Sequence, residues 1–225
     1  MSCRPRGLRC RLQGVVPVRA ADQPLPLAFE VRPGRDLVRQ GEPYPGAWVV
    51  RSGRLLMHVV DPDGRRLALD VLGAGDLVGG PAGWVAEASV RPMVQTWLGL
   101  AGPAEVRDGL ARRAHRSSAL ACCLAWDRVT ERVAGRLDDL AERFGRPVAG
   151  GRGISLALTQ DDLADLAGST RESVNRALAE LARLGRVRAT RGTYVVVPRN
   201  FALDAEHRRS DHSSPWRIAS EHEVQ

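Results

Sequence analysis

The chain has 225 residues, 44% of them hydrophobic, with 33 basic against 26 acidic side chains, a net charge of +7 and a pI near 10.4. That length suits one large or two small domains with packed cores, and the charge favours nucleic acid or another polyanion over an acidic partner. No apolar run approaches the ~18 residues of a helical membrane span, so no membrane partner is expected.

Residues 1–28 open the chain with Arg4, Arg6, Arg9, Arg11 and Arg19 and no acid in the first 21 positions. They lack the continuous apolar stretch of a secretory signal and are expected to form a basic flexible arm. The four cysteines, Cys3, Cys10, Cys122 and Cys123, do not make a disulfide framework, since two fall in the arm and two are adjacent in a helical pattern. The compartment expected from this is the reducing cytoplasm.

Residues 29–102 alternate short apolar runs with turn signals: PGR, QGEPYPGA, RSGR, DPDG and GAGD. This predicts a small antiparallel β-roll or jelly roll, with Gly34, Gly41, Gly53, Gly64 and Gly75 as turn residues.

Residues 103–145 read as helix. Trp126, Val129, Val133, Leu137, Leu140 and Phe144 recur at spacings of three and four, which makes an apolar stripe. A single helix of about 30 residues would be some 45 Å long, too long to bury wholly in one small domain. Either the roll or a second copy of the chain could cover that stripe.

Residues 146–153 (RPVAGGRG) read as a hinge leading into a unit at residues 146–200. Thr159, with Asp162 three positions on, has the form of an N-cap and its partner, and predicts a helix from about Gln160 to Leu166. Gly168 ends it. Ser169 with Glu172 repeats the cap signature, so a second helix begins near Thr170. On it Val174, Leu178 and Leu181 share the buried face, which turns Arg171, Glu172, Asn175 and Arg176 outward.

Two helices joined by a short glycine-containing turn, with long polar side chains at the start of the second, fit the DNA major groove. Arg suits guanine O6 and N7, and a carboxylate can accept from the cytosine amino group. Glu172 has a second reading as the carboxylate of the capping box. After Gly185 the pattern turns to that of a hairpin, with Val187 and Arg188, a turn over residues 190–193, and Tyr194 to Val197, which forms a wing. Residues 201–225 are charged and low in apolar content, with Trp216 and Ile218 as candidate apolar anchors, and are expected to be disordered.

The segment STRESVNR with its wing resembles the winged helix-turn-helix of the cyclic-AMP receptor protein and FNR (CRP/FNR) family of bacterial transcription regulators. The order of turns through residues 29–99 resembles that family's cyclic-nucleotide-binding domain. The fold implied is α+β: an N-terminal β-roll, a long dimerisation helix and a C-terminal winged helix-turn-helix. By this resemblance Arg171, Glu172 and Arg176 read bases of a GTG-type half-site, while Thr159, Ser169, Thr170, Arg191 and Thr193 are candidates for backbone contacts. The helical stripe, with Trp126, Val129, Val133, Leu137 and Leu140, is implied to pair with its two-fold mate, so the operator should be a pseudo-palindrome.

The chain departs from the family where relatives hold the nucleotide phosphate. Gly79-Gly80 and Ala88-Ser89 stand where the cyclic-AMP receptor protein has Gly-Glu and Arg followed by Ser or Thr, and Arg91 is a possible substitute cation. An anion buried without a cation is costly, so this pocket is read as degenerate and cyclic-AMP binding is not expected. FNR-like members hold an iron–sulfur cluster, for which the present layout is at least one ligand short, because a cluster takes four thiolates and the adjacent Cys122 and Cys123 point about 100° apart on a helix. His58 is a lone strand histidine, and His207, His212 and His222 have no scaffold to orient them; no cofactor or metal is expected.

The function implied is a homodimeric, sequence-specific DNA-binding transcription regulator, an activator working with RNA polymerase, with its effector unknown. A repressor that occludes a promoter, and a ligand or redox sensor acting through a protein partner, remain as alternatives. No grouping of nucleophile, base and oxyanion donors suggests an enzyme.

Overall fold

A computed structural model describes residues 27–156, 158–190 and 193–197. The expected arm except its last two residues, with Cys3 and Cys10, the turn residue Arg191, and the tail with Trp216, Ile218 and its three histidines lie outside the described residues.

Seven strands build the N-terminal roll: β1 (Ala28–Val31), β2 (Ala47–Ser52), β3 (Leu55–Val60), β4 (Arg66–Leu72), β5 (Leu77–Gly79), β6 (Ser89–Pro92) and β7 (Thr96–Leu100). They form two antiparallel sheets in the orders β1-β7-β2-β5 and β4-β3-β6, as the turn spacing predicts. The turn glycines named above all take positive φ. At Gly53 a side chain is also excluded by space, since a Cβ there would lie 2.3 Å from Thr96 Oγ1.

Trp48, Val50, Leu55, Met57, Val78 and Leu98 fill the space between the sheets, where Trp48 meets Phe29 edge-on at 5.5 Å. Strand β3 shows why LLMHVV is apolar without alternation. Leu55 and Met57 face the roll interior, whereas Leu56 faces a second core shared with the C-terminal helices.

The long helix expected over residues 103–145 is two helices, α1 (Pro103–Trp126) and α2 (Val129–Phe144). Asp127 and Arg128 between them take extended backbone angles. Glu131 fixes the restart: its Oε2 accepts the Arg128 N–H at 2.8 Å, and its charge sits on the positive end of α2. The two helices are buried very differently. Among its 24 residues α1 buries only Gly109 and Leu120, whereas α2 buries Val133, Ala134, Leu137, Leu140 and Ala141.

This corrects the expected dimer stripe. Val133 and Leu137 are 0% exposed and Leu140 2%, all within their own chain, so they cannot present a face to a second copy. They pack on α3 (Gln160–Ala167), α4 (Arg171–Arg183) and strand β9. Val129 is partly buried against the same core. Of the five stripe residues only Trp126, 64% exposed, is free at the surface.

Residues 146–153 are not a hinge either. They form a hairpin of β8 (Arg146–Val148) and β9 (Gly151–Ile154), turning at Gly150 (φ 79°). Strand β9 then pairs with β11 (Thr193–Val196), which pairs with β10 (Val187–Thr190), giving a four-stranded sheet in the order β10-β11-β9-β8. A Cβ at Gly151 would lie 2.3 Å from Val196 O, so the Gly-Gly pair serves both the turn and the close strand approach. Among the described residues no helix is long and apolar enough to cross a membrane.

Candidate nucleic-acid interface

Two capped helices set the recognition unit. Thr159 Oγ1 accepts the Asp162 N–H and Asp162 Oδ2 accepts the Thr159 N–H, both at 3.0 Å, the reciprocal cap that the sequence predicts. Gly168 closes α3 in the left-handed conformation (φ 55°, ψ 48°). At the start of α4 the cap falls one residue later than expected. Thr170 accepts the Ser173 N–H at 3.2 Å, so Ser169 is not the cap and Glu172 is not its capping-box partner. Glu172 is thereby left to the surface, in the first turn, where the helix dipole favours a carboxylate.

Val174, Ala177 and Leu181 anchor α4 in the core, with Leu178 partly buried beside them. Arg171, Glu172, Asn175 and Arg176 are all exposed. Their mutual contacts are loose: Arg176 Nη2 is 3.6 Å from Glu172 Oε1 with both side chains more than 70% exposed, and Arg171 Nε donates to Gln160 Oε1 at 3.0 Å. Exposed pairs of this kind hold little energy, so these groups can exchange partners at low cost. Of the backbone-contact candidates, Thr159 and Thr170 are exposed beside them and Ser169 and Thr193 are half-buried.

The helix pair is docked against the roll. Arg66 Nε lies 2.5 Å from Asp165 Oδ2, and Arg91 pairs with Asp162. Burial comes first in raising the Asp165 pKa, against the opposing pull of Arg66. His58, 5% exposed on β3, faces this junction; burial lowers its pKa, with the Arg66 and Arg91 charges acting in the same sense and Asp36 against it. From the other side Arg132 Nη1 donates to Gly168 O at 3.2 Å and Arg136 Nε to Leu166 O at 3.1 Å. A Cβ at Gly168 would meet Leu124 Cδ2 at 2.6 Å, so the turn before α4 abuts the end of α1.

The phosphate-cassette residues do not assemble as a charged pocket. Ala88 is 1% exposed in the roll core, and Ser89 Oγ accepts the Gln40 N–H at 2.9 Å. Arg91 is no substitute cation, since β6 directs it to Asp162 on α3. Gly80 lies under the Tyr44 ring, 2.9 Å from where its Cβ would be. The sequence reading missed the groups gathered here: the Tyr44 hydroxyl donates to Glu87 Oε2 at 2.7 Å, and Arg113 of α1 donates to Glu87 Oε1 at 3.0 Å and to Leu77 O and Gly79 O at 3.1 Å. A carboxylate of the chain itself thus occupies Arg113, the arginine that reaches the cassette backbone at Gly79. Among the described residues no three His, Cys, Asp or Glu side chains gather to hold a metal ion.

Comparison with known proteins agrees with this fold. The family profile described as a Crp-like helix-turn-helix domain matches residues 131–205, and that of the cyclic nucleotide-binding domain matches residues 28–99. The chain is 32% identical over 174 residues to the CRP-like cAMP-activated global transcriptional regulator of Mycobacterium tuberculosis, covering 69% of this chain and 77% of that relative. It is 28% identical to the nitrogen fixation regulation protein FixK of Rhizobium meliloti, covering 69% and 75%. The solved structure of FixK2 from Bradyrhizobium japonicum superposes with a TM-score of 0.68 at 21% identity, over 84% of this chain and 98% of that one. The chain therefore belongs to the CRP/FNR family of transcription regulators, with a helix-turn-helix DNA-binding domain at its C-terminal end.

Proposed function

We propose that the chain is a homodimeric, sequence-specific transcription regulator that binds a GTG-type pseudo-palindrome without cyclic AMP. The observation that carries this reading is the exposed start of α4, where Arg171, Glu172 and Arg176 stand in solvent with only weak partners. Arg171 and Arg176 are assigned to guanines or their neighbours and Glu172 to a cytosine.

Dimerisation is assigned to α1 rather than α2. A helix of 24 residues, about 36 Å long, that buries only Gly109 and Leu120 in its own chain leaves a free face for a two-fold mate. Leu110, Ala114, Ala121 and Trp126 are exposed along it. Pairing there sets the two recognition helices about 34 Å apart, one turn of duplex. Independence of cyclic AMP is supported by Ala88 in the cassette and by Glu87 on Arg113. Activation through RNA polymerase in the cytoplasm rests on the family resemblance alone.

Selection of bound sites from random duplexes, with purified protein and no nucleotide, tests the reading directly. Enrichment of a GTG-type palindrome is expected; enrichment only after cyclic AMP is added would overturn the effector-free part. Arg171→Ala and Arg176→Ala should each cost about 1–3 kcal/mol and relax preference at one base pair, and an unchanged ratio of specific to random binding would refute the assignment.

A further inference from the structure

The described part of the chain contains a cleft of about 200 Å³ between β4, the second half of α1 and α2. It lies apart from the phosphate cassette, and four arginines, Arg116, Arg132, Arg136 and Arg143, line it together with two carboxylates, Asp70 and Asp139. Two of these arginines are neutralised internally. Arg116 reaches Asp70 at 2.8 Å and Asp76 at 2.9 Å, and Arg143 reaches the same two carboxylates at 2.8 and 3.1 Å, with Asp139 at 3.1 Å.

The other two are not. Among the described residues neither Arg132 nor Arg136 has a salt bridge to a carboxylate, and each leaves a buried N–H without a hydrogen-bond partner, Arg132 Nε and Arg136 Nη2. Buried donors of this kind are scarce in folded proteins and call for a ligand or an ordered water. Two like charges lining one cleft also repel each other unless a counter-charge is shared between them. Guanidinium groups with N–H to spare recognise oxyanions through paired hydrogen bonds.

We infer that this cleft is a binding site for a compact phosphate-type oxyanion, inorganic phosphate or a small phosphomonoester, held by Arg132 and Arg136. These same side chains donate to Leu166 O and Gly168 O, at the turn that launches the recognition helix. An anion held there ties α1, α2 and the turn before α4 into one body, so occupancy is coupled to the placement of the DNA-reading face.

The test uses the full-length protein without DNA, titrated with sodium phosphate and separately with glycerol 3-phosphate against sodium chloride at equal ionic strength, by calorimetry and thermal melting. Saturable binding with a Kd below about 1 mM and a rise in Tm of a few degrees at saturation are expected. Arg136→Gln and Arg132→Gln should weaken binding at least about tenfold, while Arg107→Gln, an exposed arginine at the start of α1, should leave it unchanged. If neither Gln variant melts cooperatively, Arg136→Lys decides, since it keeps the charge but loses the fork and should still bind several-fold more weakly. Tighter binding of glycerol 3-phosphate assigns the site to an organic phosphate; equal or tighter binding of inorganic phosphate assigns it to the free ion. A phosphate effect no larger than that of chloride, or one equally large in a folded Arg136 variant, overturns the proposal.

Discussion

Helices α1 and α2 follow one another with two residues between them, and they stand in opposite relation to the rest of the chain. Helix α2 has the regular apolar stripe, and all of it is used within the chain, against α3, α4 and β9. Helix α1 is longer, has a weak stripe of small residues and one exposed tryptophan, and is almost uncovered. A clean stripe shows that a face is covered without showing by what. Strong periodicity marks the helix with a permanent intramolecular core, and weak periodicity with incomplete burial marks the helix left uncovered in its own chain, the one to which the proposed reading assigns dimerisation.

The sharpest way to break this contrast is to substitute on both helices. Leu137→Ala removes a fully buried side chain from α2 and should destabilise the fold by about 2–5 kcal/mol in denaturant unfolding. Ala114→Arg and Ala121→Arg on α1 should leave the secondary structure intact and convert the protein to a monomer in sedimentation, with loss of high-affinity operator binding. Were Leu137→Ala to dissociate a dimer while the monomer kept its stability, the assignment of the two helices would be reversed.

Much of this was legible in the sequence because it rests on local chemistry. The Thr159–Asp162 cap, the left-handed Gly168, the outward Arg171 and Arg176 and the turn glycines of the roll each depend on residues within a few positions. What escaped depends on distant partners. The break at Asp127 and Arg128 has no Gly or Pro to announce it, and only the Glu131 cap marks the restart. The β8–β9 hairpin was hidden because RPVAGGRG reads equally as a linker, although its Gly-Gly pair is a hairpin signal; pairing of β9 with β11 decides it. The fate of Arg91, opposite Asp162 rather than in the cassette, requires knowing that α3 docks on β4 of the same sheet.

The shifted cap at α4 offers a smaller contrast. Thr170→Ala should cost about 1 kcal/mol, because it frees the Ser173 N–H, whereas Ser169→Ala should change stability by no more than a few tenths. Equal costs, or a larger one at Ser169, would restore the cap to Ser169 and return Glu172 to a capping role. Measured on DNA, Glu172→Gln should then alter discrimination at one base pair rather than stability, since its side chain is 82% exposed.

The smallest effect expected is a pH slope set by His58, where the roll meets α3. Burial lowers its folded-state pKa from the ordinary 6.5, so above that value both folded and unfolded chains leave it neutral and it contributes no slope. As pH falls below 6.5 the unfolded chain takes up a proton that the folded chain resists, and stability declines until the folded pKa is reached. Arg66 and Arg91 at the junction reinforce this resistance and Asp36 opposes it. Asp165 acts with the opposite sign, its pKa raised from 3.8, and it is present in both proteins of the comparison that follows. The Tm of the wild-type protein should therefore fall between pH 7 and pH 5 more steeply than that of His58→Gln, in which the titrating group is absent. Parallel curves for the two proteins would show that the roll meets α3 with His58 free to protonate, and that the junction is looser than its ion pairs imply.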